Sequence, residues 1–360
     1  MLVKSSAWQG RRVLVTGHTG FKGGWLSLWL HQLGAEVTGF ALPAPTNPSF
    51  FEQTRLAELV SHIEGDVRDP GAVEAAVRVS QPEVVFHLAA QALVRYSYDN
   101  PVETYATNVM GTVHVLDACR RADSIRAIVS VTSDKCYENR EWVWPYRETD
   151  PMGGHDPYSS SKGAAELVIS AYRRSYFQAA ARLASVRAGN VIGGGDWALD
   201  RLIPDVVRAM LAGDRPLIRN PNSIRPWQHV MEAVGGYLLI AERLLDGPNE
   251  FASAWNFGPS EEDARPVAWI VDRMLELWGA EGWDRPDAAE PHEATLLKLD
   301  CSKARAALGW RARFSLDKSL EKVVEWHKGV AAGEDARELS LRQLREYSEL
   351  AGDPTGVLAE

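Results

Sequence analysis

The sequence predicts an α/β protein with a doubly wound parallel sheet, followed by a smaller and mostly helical second part. Short β-rich runs alternate with helical patterns through the first half of the chain, and a glycine-rich turn joins the first run to the first helix. Beyond Gly193-Gly194-Gly195 this alternation ends and helical patterns take over. Strands that alternate with helices indicate βαβ units, and therefore parallel strands with right-handed crossovers.

Six strands are expected in the first half, most of them short runs of Val, Ile, Leu and Phe. They cover residues 12–16, 37–40, 61–63, 83–88, 127–132 and 183–188. Two helices have clear start signals, because Asp69-Pro70 and Asp156-Pro157 each place an N-capping carboxylate before a proline. Asn100-Pro101 is expected to open another long helix, which ends near Arg121.

Chain length predicts the number of domains, and the change from alternating strands and helices to helices alone predicts where they divide. At about 150 residues per domain, a chain of 360 residues suggests roughly two domains. We expect a first domain over residues 1–189, to which some later segments return, and a second domain over residues 190–360.

Composition argues against several classes of protein. With 39 Lys and Arg against 48 Asp and Glu, the net charge is −9, whereas a nucleic-acid-binding protein usually has a basic balance. No apolar run approaches the ~20 residues of a membrane span, so we expect no membrane insertion. Cys119, Cys136 and Cys301 are far apart and are expected to be reduced thiols in the cytoplasm. No Cys-x-x-Cys or His-Glu-x-x-His spacing occurs, so we expect no metal site.

The glycine-rich turn follows the first strand directly and opens the first helix, with the sequence Gly17-His-Thr-Gly20-Phe-Lys-Gly23. Glycines let backbone N–H groups approach a pyrophosphate, and the helix N-terminus adds favourable partial charge, so the turn predicts a dinucleotide site. The second strand ends with neither an acid for a ribose nor an Arg for a 2′-phosphate, so NAD is the default and the choice against NADP stays open. Asp66 could accept a hydrogen bond from the adenine amine or serve only as a turn residue.

Tyr158 and Lys162 are the most informative pair in the chain. They are four residues apart at the start of a predicted helix, so both side chains lie on one face. A lysine ammonium beside a phenol favours the phenolate, and we expect it to lower a tyrosine pKa that ordinarily lies near ~10. Such a phenolate can take the proton from a hydroxyl while hydride leaves the same carbon.

Further motifs lie at or just after the ends of predicted strands, and one lies inside the helix predicted over residues 100–121. They are Asp66-Val67, His87-Leu-Ala-Ala-Gln91, Asn108-Val-Met-Gly-Thr112, Thr132-Ser133-Asp134 and Arg187-Ala-Gly-Asn190. With the glycine turn and the Tyr158/Lys162 pair, they make the chain resemble the extended short-chain dehydrogenase/reductases over nearly its whole length.

This resemblance implies a modified Rossmann domain that binds NAD and a C-terminal domain that binds a nucleotide sugar. It also implies a homodimer that pairs helices, here residues 100–121 and 158–176. The residues that it implies for NAD are Gly17, Thr19, Gly20, Phe21, Gly23, Asp66, Val67, Leu88, Ala89, Ala90, Thr107, Tyr158 and Lys162.

Narrower motifs make the resemblance most specific to the 4,6-dehydratases of that family, with CDP-glucose as the implied substrate. They include Ser133-Asp134-Lys135-Cys-Tyr137, Val191-Ile-Gly-Gly-Gly-Asp-Trp197, Arg225-Pro-Trp-Gln-His-Val230 and Pro291-His-Glu-Ala-Thr295. The implied reaction oxidises sugar C4, eliminates water across C5 and C6, and returns the hydrogen to C6. The product would be a 4-keto-6-deoxy sugar, of the kind found in bacterial surface polysaccharides.

The resemblance also implies roles for individual side chains. Ser133 and Tyr158 would hold the 4-hydroxyl, while Asp134 and Lys135 would serve the elimination. Many relatives carry Asp-Glu where this chain has Asp-Lys, so which residue acts as acid and which as base stays open. For the nucleotide sugar it implies Asn190, Arg201, Arg219, Arg225 and His292, and guanidinium forks suit diphosphate oxygens.

Other functions remain possible from the residues themselves. An epimerase or reductase of the same family would share Tyr158 and Lys162 but would not need Asp134 and Lys135. A 4,6-dehydratase for another nucleotide sugar is also open, because the residues do not distinguish cytosine from other bases. A non-catalytic sensor of NAD or nucleotide sugars would be expected to lack Ser133, Tyr158 or Lys162, and all three are present.

Overall fold

A computed structural model describes residues 3–178, 181–286 and 296–350 of the chain. The strands are β1 (Arg12–Thr16), β2 (Glu36–Ala41), β3 (Ser61–Glu64), β4 (Val84–His87), β5 (Ala127–Val131), β6 (Arg182–Ala188), β7 (Asn190–Ile192), β8 (Trp227–His229) and β9 (Ala254–Phe257). The helices are α1 (Phe21–Gln32), α2 (Phe50–Gln53), α3 (Pro70–Ser80), α4 (Val94–Asp99), α5 (Pro101–Tyr105), α6 (Gly111–Arg120), α7 (Pro157–Ser175), α8 (Leu202–Ala212), α9 (Val230–Asp246), α10 (Val267–Trp278), α11 (Ser302–Leu308), α12 (Leu316–Ala331) and α13 (Ala336–Glu349).

Seven strands form one parallel sheet in the order β3-β2-β1-β4-β5-β6-β9, and β7 pairs with β8 separately. The chain runs outward from β1 to β3 and then crosses back to β4 on the other side of β1. Thr16 at the end of β1 therefore lies beside His87 at the end of β4, at the point where the strand order reverses. Ligands of such sheets bind outside the carboxyl ends of the strands at this point. The predicted α/β class and parallel sheet are confirmed.

The sequence patterns do not predict the seventh strand. β9 contributes only the four residues Ala254–Phe257, and it pairs in parallel with Ser185–Ala188 of β6 from far along the chain. A run of four residues with one asparagine gives too short a signal to separate from a loop. Its return to the sheet brings the second part of the chain against the first.

The helix expected over residues 100–121 is confirmed as a continuous helical segment from Pro101 to Arg120, but its middle turn differs from the α-helix that was expected. A wider π turn covers Ala106–Met110 between α5 and α6. Asn108 in this turn is buried, and its Nδ2 donates to Ser161 Oγ at 2.8 Å. Turns of this kind are frequent at functional sites, and this one places Thr107 on the wall of the cavity described below.

Helices cover both faces of the sheet. α1 and α9 pack on one face, while α3, α6 and α7 pack on the other. The strands between them are apolar on both faces, which is the pattern expected of a parallel sheet buried on both sides. A third apolar cluster joins α8, α10 and α12 in the second part of the chain.

Among the described residues, no helix combines the length and the apolar character that crossing a membrane requires.

Candidate active site

A cavity of about 740 Å³ opens at the carboxyl ends of the central strands. This volume falls within the range of ~300–1,000 Å³ that is typical of small-molecule sites. Every residue that the family resemblance implies for NAD lies on its wall. These residues are Gly17, Thr19, Gly20, Phe21, Gly23, Asp66, Val67, Leu88, Ala89, Ala90, Thr107, Tyr158 and Lys162.

The glycine turn is packed so closely that Gly17 and Gly23 have no room for a side chain. A Cβ on Gly23 would lie 2.1 Å from the Gly17 carbonyl oxygen. Gly17 itself has φ +79°, and a Cβ there would lie 2.7 Å from the Ala89 nitrogen at the end of β4. Glycine at these two positions therefore allows the turn to pack closely on itself and on the residues after β4, as it does in a dinucleotide-binding turn.

The start of α1 supplies donors to the same place. Gly20 precedes the helix with an extended backbone and no side-chain cap, so the first helical N–H groups are available to phosphate oxygens. Thr19 Oγ1 donates to the Leu42 carbonyl at 2.9 Å, which ties the turn to the end of β2. These residues fit the pyrophosphate of a dinucleotide.

Asp66 lines the same cavity as Tyr158 and is the residue predicted to meet the adenine. It accepts from the Arg68 backbone N–H at 2.8 Å and from Arg68 Nε at 2.7 Å. Burial alone would raise the pKa of Asp66, but the bonds from Arg68 outweigh it and lower the pKa. Arg68 also bonds Glu103 at 3.2 Å. The carboxylate is thus charged and fixed in orientation, which suits an acceptor for the adenine amine.

Tyr158 and Lys162 lie in the first turns of α7, which Asp156 caps by accepting from the Ser159 N–H. Both side chains are buried, and Lys162 Nζ lies 5.9 Å from the centre of the Tyr158 ring. Burial lowers the pKa of Lys162 to about 7, and the nearby Lys22 contributes to this shift.

The expected lowering of the Tyr158 pKa is wrong for the protein without ligands. Burial raises the pKa of Tyr158 to about 12, although the interaction with the Ser133 hydroxyl and the charge of Arg201 act in the other direction. Desolvation of the phenolate therefore outweighs the neighbouring cations.

A short turn after β5, residues 133–136, carries the remaining predicted catalytic groups, and we call it the catalytic turn. Ser133 Oγ accepts from the Lys135 N–H at 3.2 Å and donates to Asp134 Oδ1 at 3.0 Å. Burial raises the pKa of Asp134 against the charge of Lys135. Asp134 is thus disposed to hold a proton, as an acid for a leaving hydroxyl must, while the Lys135 side chain is only half-buried.

Two charged groups of the site are missed by the sequence interpretation. Lys22 and Asp196 both line the cavity, and Arg201 Nη1 pairs with Asp196 Oδ2 at 3.2 Å. Burial lowers the pKa of Lys22 to about 8, and Arg201 adds to the effect. The sequence signal for Lys22 is its place inside the glycine turn, between Gly20 and Gly23.

The predicted substrate residues are only partly brought together. Arg201 lines the cavity, and Arg225 lies close enough to Asp134 for its charge to lower the pKa of that carboxyl. Arg219 is paired with Asp200 at 3.6 Å, and Asn190 begins β7 beside Trp227 of β8. His292 lies outside the described residues.

Comparison with known proteins gives consistent results. The profile of the NAD dependent epimerase/dehydratase family matches residues 13–258. The CDP-glucose 4,6-dehydratase of Salmonella typhimurium is 54% identical over 353 residues, which cover 96% of this chain and 98% of that protein.

Solved structures show the same fold. The UDP-glucose 4-epimerase of Thermotoga maritima has a TM-score of 0.78 at 24% identity, over 88% of this chain and 99% of that one. The dTDP-glucose 4,6-dehydratase of Streptomyces venezuelae, solved with NAD bound, has a TM-score of 0.76 at 24% identity, over 90% of this chain and 99% of that one.

The lowered pKa of Lys162 predicts a pH-dependent effect of Lys162→Met on stability. Between the folded pKa of about 7 and the ordinary value of 10.5, the unfolded chain binds more protons, so wild-type stability rises with pH. Below pH 7 the folded protein buries a charged lysine, and removing it should stabilise the nucleotide-free protein by a few kcal/mol, on the order expected from linkage.

Urea unfolding at pH 6 and pH 9 measures this effect. The advantage of Lys162→Met over wild type should shrink as the pH rises, whereas the exposed Lys328→Met should show no such trend. An advantage that is equal at both pH values would contradict the burial of an unpaired lysine charge.

Proposed function

Because the chain belongs to the NAD-dependent epimerase/dehydratase family, we propose that it converts CDP-D-glucose to CDP-4-keto-6-deoxy-D-glucose and water. The observation that carries this conclusion is the 54% identity over 96% of the chain to the CDP-glucose 4,6-dehydratase of Salmonella typhimurium. The cofactor is NAD, since the family is NAD-dependent and the glycine turn, Asp66 and the cavity fit a dinucleotide.

Tyr158 is assigned as the base for the sugar 4-hydroxyl. NAD, when bound, supplies a two-electron acceptor that takes the hydrogen of C4 and later returns it at C6. Ser133 would hold the same hydroxyl, since it already forms a hydrogen bond to Tyr158. Burial raises the pKa of Tyr158 to about 12, so the phenol has to lose its proton against this effect when it acts as the base. Arg201 favours that loss, because its charge lowers the Tyr158 pKa.

The catalytic turn is assigned to the elimination. A ketone at C4 acidifies the C5 hydrogen, so one group must take that proton and another must protonate the departing 6-hydroxyl. Asp134 suits the acid role, because burial raises its pKa and Ser133 orients it. Lys135 is then the base by assignment, and it needs to be neutral when it acts. An epimerase would have no use for this second pair.

The proposed reaction is tested with CDP-, dTDP-, UDP- and GDP-glucose, each deuterated at sugar C4, incubated with and without NAD. CDP-glucose should give a 4-keto product with deuterium at C6, because the hydrogen taken from C4 is returned there. Proton NMR and mass spectrometry identify both features. Tyr158→Phe should abolish the reaction at the oxidation step. A C4 epimer, unchanged CDP-glucose, or a marked preference for another nucleotide would each contradict the proposed function.

The assembly is proposed to be a homodimer that pairs α5, α6 and α7 of two protomers. α5 and α7 lie side by side, since Tyr105 Oη donates to Ser160 Oγ at 3.0 Å. Apolar side chains on their outer surface face solvent in the single chain: Val102 is 82% exposed and Leu167 is 63% exposed. Exposed apolar groups on adjacent helices support a protein contact at this face.

Charges placed on this face should prevent dimerisation. Val102→Glu and Leu167→Glu should sediment as monomers at micromolar concentration, where the wild type should sediment as a dimer. Val79→Glu is the control, because Val79 is 73% exposed on α3, a helix that is not among the three proposed to pair. A wild-type monomer, or variants that stay dimeric, would contradict the proposed interface.

A further inference from the structure

A buried ion pair joins Glu166 of α7 to Arg187 of β6, and it has no assigned part in the reaction. Each side chain is only 4% exposed. Arg187 Nε donates to Glu166 Oε1 at 2.9 Å and Nη2 donates to Oε2 at 2.7 Å. This two-point contact fixes the distance and the mutual orientation of the two groups.

Glu166 links the helix of Tyr158 to the strand that precedes the catalytic turn. It lies eight residues after Tyr158 on α7, on the same helix face. Oε1 also accepts from Thr132 Oγ1 at 2.5 Å, and Oε2 accepts from Ser185 Oγ at 2.8 Å. Thr132 is the residue directly before Ser133. One carboxylate thus holds the catalytic helix and the start of the catalytic turn together.

Arg187 extends the same connection to the other end of the catalytic turn. Its Nη1 donates to Tyr137 Oη at 2.7 Å, and Tyr137 Oη donates to Asn256 Oδ1 of β9 at 2.7 Å. Tyr137 is the residue directly after the turn. Both ends of the turn are therefore tied to one ion pair, and that pair is tied to the catalytic helix and to β6.

Close backbone contacts leave little room for the catalytic helix or the end of β6 to shift against the catalytic turn. A Cβ on Gly163, next to Lys162, would lie 2.7 Å from the Gly153 carbonyl oxygen and 3.1 Å from that of Cys136 in the catalytic turn. A Cβ on Gly189, two residues after Arg187, would lie 3.2 Å from Asp134 Oδ2. The helix and the end of β6 are packed directly on the turn.

We propose that Glu166 and Arg187 are positioning residues, which hold the catalytic helix in register with the catalytic turn. The helix carries Tyr158 and Lys162 for oxidation at C4, and the turn carries Asp134 and Lys135 for elimination across C5 and C6 together with Ser133, which holds the 4-hydroxyl, so the inference rests on the proposed function. Both halves of the reaction act on one bound sugar, and their groups must stay aligned between the two steps. A displacement of about 1 Å between reacting groups is enough to slow a step about a hundredfold.

The surroundings of the pair favour the ionised form of Glu166. Burial alone would raise the pKa of Glu166, but Arg187 and the bonds from Thr132 and Ser185 outweigh it and lower the pKa. An ionised pair of this kind costs desolvation energy and is weak support for stability by itself. The contribution that we assign to the pair is therefore geometric, because its two-point contact fixes the position of the helix relative to the turn.

Tyr137→Phe tests the inference with the smallest change, since it removes only the hydroxyl that joins the turn to Arg187. The expected result is a roughly 10- to 100-fold lower kcat with a KM for CDP-glucose within about threefold of wild type. The loss should fall on the elimination: in single turnovers, C4 is oxidised and the nicotinamide reduced, and CDP-4-ketoglucose accumulates before water is lost. Mass spectrometry detects that intermediate, and near-ultraviolet absorbance follows the nicotinamide.

Tyr146→Phe is the matched control. Tyr146 stacks on Tyr137 with ring centres 5.2 Å apart, but its hydroxyl donates to Asn139 and does not bond to the ion pair. In Tyr146→Phe, the rate of elimination relative to oxidation should therefore be the same as in the wild type, and CDP-4-ketoglucose should not accumulate. Arg187→Lys is the second variant, because it keeps the charge and loses the two-point contact; it should show the same intermediate as Tyr137→Phe.

The possible failures are distinguishable. Wild-type protein that does not oxidise CDP-glucose overturns the proposed function and this inference with it. Wild-type turnover, together with Tyr137→Phe and Arg187→Lys variants in which elimination keeps pace with oxidation, overturns the inference alone. An equal loss in Tyr146→Phe also overturns it, because the effect would then belong to the aromatic packing.

Discussion

The buried ion pair of Glu166 and Arg187 is the interaction on which the geometry of the site depends. Charges removed from water are tolerated only when every polar atom has a partner. Here the partners come from the end of β5, from β6 and from Tyr137, so satisfying the charges also fixes the catalytic turn against α7. The energetic requirement of the pair and the geometric requirement of the reaction are met by the same contacts.

Burial also controls the protonation of the site. It raises the pKa values of Tyr158 and Asp134 and lowers those of Lys22 and Lys162. All four shifts favour the neutral form, since a cavity removed from water disfavours any charge. Asp134 is thereby suited to donate a proton. Tyr158 has to lose its proton against the effect of burial, which the charge of Arg201 partly offsets.

The sequence predicts the parallel sheet well, because its strands and helix starts depend on local signals. Buried strand runs and Asp-Pro helix starts are read within a few residues, and the residues implied for NAD all lie on one cavity. The misses depend on distant contacts. β9 is a four-residue run recognisable only beside β6, and the π turn at 106–110 follows from the burial of Asn108. The pKa of Tyr158 is raised because desolvation is the largest effect on it. The spacing of Tyr158 and Lys162 in the sequence indicates their proximity but not how deeply they are buried.

The central claim is that one aligned site oxidises C4, eliminates water and returns the same hydrogen without releasing the sugar. A crossover experiment tests it most directly: CDP-glucose deuterated at C4 is mixed with CDP-glucose that carries ¹³C throughout the sugar and no deuterium. The account predicts deuterium at C6 only in product molecules without ¹³C. Deuterium at C6 of ¹³C-labelled product would show that the intermediate leaves before the hydrogen is returned, and would contradict the account.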